Sequence, residues 1–149
     1  MLVECISSDE VREWVDDKGD IHRNVHHLQQ ISVGTRYEVH GIVMGGDRIA
    51  YLVAGDKDDT DPNVYPMMIQ DKNFVIVDPA IPADWYSWRG RILCYFCGEN
   101  CDCGANPPVQ FCIGYKEFAL SLRHGIGLSE RNPDDLLIFY KVIHGIREK

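Results

Sequence analysis

The stretch ISVGTRYEVHGIVMGGDRIAYLVAGDKDDTDPNVYPMMIQDKNFVIVD, Ile31 to Asp78, decides the fold. From Arg36 to Met44 it is rich in Tyr, Val and Ile, and Tyr37, Val39 and Gly41 alternate with Glu38 and His40. That two-residue period is a half-buried strand, with Glu38 and His40 on the polar side. Gly45, Gly46 and Asp47 then supply the positive-φ positions of a tight hairpin, and Ile49 to Ala54 resumes the pattern with Ile49, Tyr51 and Val53 on one face. Past the polar loop Gly55 to Asn63, the runs Tyr65 to Ile69 and Phe74 to Val77 add strands, and Val3 to Ile6 can pair at an edge. Short, evenly spaced strands of this kind predict a small barrel of about five strands.

The opening LVECIS, the phrase ISVGTRYEV at Ile31 to Val39, the hairpin leading to IAYLVAGD, and YP followed by FVIVD resemble the SH3-like barrel of many small bacterial and phage proteins. Among these, the pattern is similar to some immunity proteins of polymorphic toxin systems. The resemblance covers Leu2 to Ile6 and Ile31 to Asp78, and it is carried by strand residues, not by a catalytic signature. It implies an α+β fold built on an SH3-like antiparallel barrel. It also implies a protein that neutralises a toxin by covering its active site. Two features depart from the usual module: the insertion Ser7 to Gln30, and the cysteine cluster and helical tail that follow the barrel.

The insertion opens Ser7, Ser8, Asp9, Glu10, a serine cap with an acid three residues on, ahead of Val11, Trp14 and Val15 at helical spacing. This predicts a short helix from Ser8 to Asp17, ended by Lys18, Gly19 and Asp20. Ile21 to Gln30 reads as an irregular return or a second short helix. His22 and His26 would share a helical face, as metal-binding histidines do, but Arg23 stands where a zinc hydrolase carries its glutamate base.

After the barrel, Pro79, Ile81 and Pro82 mark an exit and Ala83 to Ser87 a turn or single helical turn, with Trp85, Tyr86 and Trp88 placed to close the barrel's open end or, as the alternative, to form an exposed ligand-stacking platform. Arg91 to Cys97 and Val109 to Gly114 predict a second hairpin, and Lys116 to Arg123 a helix stopped by Gly125. The last helix is the best defined. Asn132 caps it, Pro133 takes its first position, and Asp134 and Asp135 fill the first turn. Leu136, Phe139, Tyr140, Ile143 and Ile146 form its apolar stripe, and Arg147 and Lys149 close it. One domain is expected over residues 1–149, with the barrel and its insertion in 1–88 and the hairpin and helices of 89–149 packed on it.

Composition bounds the function. With 45% hydrophobic and 26% charged residues the chain has the make-up of a folded globular protein. It holds no apolar run long enough to span a membrane and no basic, apolar leader, so a cytoplasmic location is expected. The net charge of −8, from 23 acidic against 15 basic residues, opposes binding to nucleic-acid phosphates and favours a basic protein partner. Two acidic groups are candidates for that contact: Asp16, Asp17 and Asp20, and the loop residues Asp56, Asp58, Asp59 and Asp61. The loop is no calcium site of the helix-loop-helix type, since Asp61 and Met67 stand where glycine and a bidentate glutamate are needed.

CYFCGENCDCG brings Cys94, Cys97, Cys101 and Cys103 within ten residues, with Cys112 on the next strand. Thiolates prefer a soft metal and C-x-x-C is a common half-site, so these five are candidate zinc ligands. Yet only Gly98, Glu99 and Asn100 separate the two pairs, where structural sites leave a dozen residues or more. Free thiols and a disulfide are the other readings, the last disfavoured in a reducing compartment. No nucleophile elbow, phosphate-binding loop or dinucleotide fingerprint is present. The sequence therefore reads as a non-enzymatic binding protein, an immunity protein first and a small zinc-binding structural or regulatory module second.

Overall fold

The computed structural model describes residues 1–45, 48–56, 64–91 and 109–145. Among the described residues, nine strands and three α-helices make an α+β fold of antiparallel sheets. The strands are β1 (Leu2–Cys5), β2 (Asp9–Val15), β3 (Ile21–His27), β4 (Arg36–Gly45), β5 (Arg48–Ala54), β6 (Pro66–Gln70), β7 (Phe74–Asp78), β8 (Tyr86–Arg91) and β9 (Val109–Gly114). The helices are α1 (Lys116–Leu120), α2 (Leu122–Ser129) and α3 (Pro133–Ile143).

The main sheet runs β6-β5-β4-β1-β7, and β4 is its axis. One edge of β4 pairs with β5 along most of its length, while β1 takes Arg36 to Glu38 and β9 takes Gly41 to Gly45. β8 continues outward from β9. Among the described residues no ladder joins β6 to β7, so the strands form an open path where a closed barrel was expected.

The predicted strands Arg36 to Met44 and Ile49 to Ala54 are present, and Tyr37, Val39, Tyr51 and Val53 are buried as their alternation requires. They join Val3, Ile31, Ile69 and Phe74 in one core. The opposite face is buried too. Val43 and Leu52 meet Cys112, Tyr115, Phe118, Leu128 and Phe139 in a second core beneath the helices. The C-terminal tail thus covers the outer face of β4, β5 and β9, which is why these strands lose the polar alternation of a half-exposed sheet. Phe118 can lie flat over β4 and β9 because Gly41 and Gly114 leave the space its ring fills.

Four expectations change. The insertion is not helical: residues 9–27 form the β2–β3 hairpin, a two-stranded sheet of its own. Val11 faces Val25 and Val15 faces Ile21, and these β-branched pairs across a Gly-containing turn outweigh the apparent capping box. Gly19 takes φ +84 in that turn, a conformation glycine adopts without strain. The exit segment Ala83 to Ser87 leads directly into β8, so the second hairpin pairs Tyr86–Arg91 with Val109–Gly114; residues 92–97 lie outside the described ones.

The helix expected over Lys116 to Arg123 breaks at Ser121, whose extended backbone and side-chain oxygen, accepting from His124 N at 3.2 Å, cap a fresh helix. Gly125 sits inside α2 and stops nothing. Finally, His40 is buried, not solvated. α3 begins as read, with Asn132 Oδ1 accepting from Asp134 N and Asp135 N, and it buries Phe139 completely; Ile146, Arg147 and Lys149 lie outside the described residues.

Candidate interface on the inserted hairpin

A short turn between β6 and β7, Asp71–Asn73, holds the hairpin to the sheet. Asn73 is buried, and its side-chain amide donates to the carbonyls of Ser7 at 2.7 Å and Asp9 at 3.0 Å, while its main-chain carbonyl accepts from Ile6 N at 2.8 Å. Lys72 Nζ donates to the Val11 carbonyl at 3.3 Å, and Gln70 Nε2 to Glu10 at 3.4 Å. Beyond these attachments the arm is exposed.

The register sorts its side chains into two faces. On one, the Asp9–His27 and Glu13–Arg23 pairs alternate with the apolar pairs Val11–Val25 and Val15–Ile21. On the other, Trp14 stacks on His22, ring centroids 5.4 Å apart and planes 16° from parallel. Trp14, Val15, Ile21 and Val25 are 51%, 64%, 75% and 52% exposed, a density of solvated aliphatic and aromatic groups that marks contact surfaces. Six acidic residues against three basic ones in residues 9–27 surround them with negative charge.

Of the predicted contact residues, Asp16, Asp17 and Asp20 come together at the tip of this arm. Asp16 shapes the turn. Its Oδ1 accepts from the backbone N of Lys18 and of Asp20, both at 2.9 Å, and its Oδ2 meets His22 Nε2 at 2.9 Å. The His22 contact, followed by the backbone donors, lowers the Asp16 pKa below its ordinary value. Asp17 and Asp20 point their charge to solvent.

Asp56 has a different task. Ser32 Oγ donates to it at 2.6 Å and Tyr37 Oη at 2.7 Å, and its own N–H donates to the Gln30 carbonyl. It therefore fastens the end of β5 to the strand-entry loop. Burial, and then the bond to Asp56, push the Tyr37 phenol up to about 12. Asp58, Asp59 and Asp61 lie outside the described residues, as do Cys94, Cys97, Cys101 and Cys103. Cys112 is a core residue of the helix-covered face, its thiol donating to the Phe118 carbonyl at 3.7 Å and pushed up to about 12 by burial. Among the described residues no three His, Cys, Asp or Glu side chains gather in a way that could hold a metal ion. None of the helices described is long and apolar enough to cross a membrane.

Sequence reasoning missed one polar constellation. Tyr115 Oη lies 2.6 Å from His124 Nε2, and His124 Nδ1 lies 2.6 Å from Asp135 Oδ1. With Nδ1–H donating to the carboxylate, Nε2 accepts from the phenol. Tyr115 and His124 are 7% and 4% exposed, and the chain ties the end of β9 to α2 and α3. Its hydrogen-bonding groups are turned on one another, the arrangement of a buried brace. The only sequence hint is a histidine and an aspartate on neighbouring helices. No family model, curated protein or solved structure matches this chain.

Proposed function

We propose that this chain is a non-enzymatic binding protein that docks its β2–β3 arm on a basic protein surface. In the immunity-protein reading, that surface is the active-site cleft of a toxin domain with a nuclease-like positive charge, and docking occludes it. The observation that carries the proposal is the arm itself: four large apolar side chains at least half exposed, on a hairpin whose tip is acidic. The charge would steer a cationic partner and raise the association rate. Burial of Val15, Ile21 and Val25 on one face, with Trp14 clasped from the other, would then supply the affinity, at about half or more of the roughly 1.5–3 kcal/mol that a fully exposed side chain gains on leaving water. The antiparallel strand path β6-β5-β4-β1-β7 is the scaffold that carries the arm, an SH3-like one in this reading although its path is open among the described residues.

The test is co-expression with the product of the adjacent upstream gene. Restored growth together with co-purification supports the reading, provided both are lost in the Trp14→Ala, Ile21→Ser variant. No rescue and no co-purification discard it.

A further inference from the structure

β4 holds one residue more than its ladder with β5 can seat. Val39 stands opposite Val53 and Gly41 opposite Leu52, leaving His40 as the bulged residue between them. A bulge re-aims the side chain it adds, and such residues often border functional sites. The bulge sets His40 beside Gly41 on the face the helices cover, where the imidazole is 8% exposed beneath α3 and meets Phe139 edge-on at 5.5 Å.

Buried polar side chains normally have hydrogen-bond partners. Among the described residues the His40 ring has none, yet neither of its nitrogens is a sealed, unsatisfied atom. What the ring faces is a cavity of about 500 Å³ bounded by β4, the start of β8, the start of α1 and α3. That volume is in the range of small-molecule sites. Trp85, Tyr86 and Tyr115 contribute aromatic wall, and Glu38, Asp84 and Glu117 outnumber Lys116 and Lys141 among its charged residues.

We propose that this cavity binds a small organic cation, a primary amine on an apolar or aromatic body, with the His40 imidazole accepting one of its N–H bonds. Aromatic faces attract cations, and the carboxylate majority favours the same sign. Burial lowers the His40 pKa against the opposing charge of Glu38, with the chain's amino group adding to the lowering, and a neutral ring accepts a hydrogen bond from an ammonium without repelling it. This site is separate from the hairpin arm and does not depend on what the arm binds.

The full chain is titrated at neutral pH with 2-phenylethylamine, 2-phenylethanol and phenylacetate. Tryptophan fluorescence and the His40 ring resonances are followed. The amine is expected to bind about tenfold more tightly than the alcohol, a difference of one good polar contact, and phenylacetate more weakly than either. His40→Leu should cut amine affinity about tenfold and alcohol affinity much less, by about threefold, because the ammonium's bond to the imidazole is charge-assisted and the hydroxyl's is not. If that variant fails to fold, Glu38→Gln and Glu117→Gln, both exposed, carry the test, with amine binding reduced about threefold each and alcohol binding unchanged. Equal affinity for amine and alcohol, tighter binding of phenylacetate, or no saturable response up to about 20 mM, beyond the weakest useful affinity, overturns the proposal.

Discussion

The side-chain amide of Asn73 grips the carbonyl oxygen of Asp9 at 3.0 Å, and through that contact a buried turn residue holds the first strand of the exposed arm. Asn73→Ala leaves the Ser7 and Asp9 carbonyls without this donor, and the lost bonds should cost about 1–3 kcal/mol. Amide exchange should accelerate throughout β2 and β3 but much less in the core strand β5. Uniform acceleration across both would show that the turn stabilises the whole sheet and not the arm.

The arm's apolar residues should matter to binding and not to folding. Trp14→Ala and Ile21→Ser remove half-exposed side chains, so the melting temperature should move by no more than about 2 °C, while affinity for a docked partner falls at least about tenfold. Reversing Asp17 and Asp20 to lysine should slow association and weaken its salt dependence, with dissociation nearly unchanged. Stopped-flow binding separates the two effects.

At Gly41 a methyl group would fall inside the Phe118 ring. Gly41→Ala should therefore destabilise the fold by about 1–3 kcal/mol through overpacking. Phe118→Leu in the same chain should recover part of that loss, because the two positions share one space. Urea midpoints of the two single variants and the double variant measure the coupling; strict additivity would contradict the contact.

Tyr115→Phe deletes the hydroxyl that donates to His124 and leaves a buried imidazole nitrogen unmatched, for an expected loss of about 1–3 kcal/mol. Gly127→Ala should act on the same brace from its far end, since a Cβ there would collide with the Asp135 carboxylate. Loss of the downfield His124 Nδ1 proton signal in the Gly127 variant is the direct readout.

Stability should fall on the alkaline side. Tyr37 and Cys112 keep their protons up to about 12 in the folded chain, whereas unfolded they release them near 10.0 and 9.0. Between these values the folded state binds more protons. The contribution is thus complete below about pH 9 and is lost as pH rises toward 12. Cys5, also raised by burial, acts in the same direction. Cys112→Ala should flatten the decline between pH 9 and 10, read from urea midpoints. Asp16 behaves oppositely: its lowered pKa stabilises the arm above its ordinary 3.8, a contribution lost as pH falls through the lowered value.

The parts of this fold that sequence reveals are those whose signals are local. The Tyr37/Val39 and Tyr51/Val53 alternation, and the Asn132–Pro133–Asp134 start of α3, each declare themselves within a few residues. The insertion was misread because Val11, Trp14 and Val15 satisfy a helical spacing as well as a strand. The deciding pattern is the mirror symmetry about Lys18, which sets Glu13 against Arg23 and Trp14 against His22, and it becomes visible only once the two halves are aligned. His40 reads as an outward position because nothing within β4 shows that α3, distant in sequence, covers that face. Asp56 looked like a surface charge until Ser32 and Tyr37, distant in sequence, were found bound to it.

The turn that carries the arm recognises it chiefly by main-chain carbonyls, those of Ser7, Asp9 and Val11. Such an attachment is blind to which side chains the arm displays. Its outward residues are therefore exchangeable, singly or in groups, at little cost to the joint, so that rewriting the hairpin alone changes what the scaffold displays.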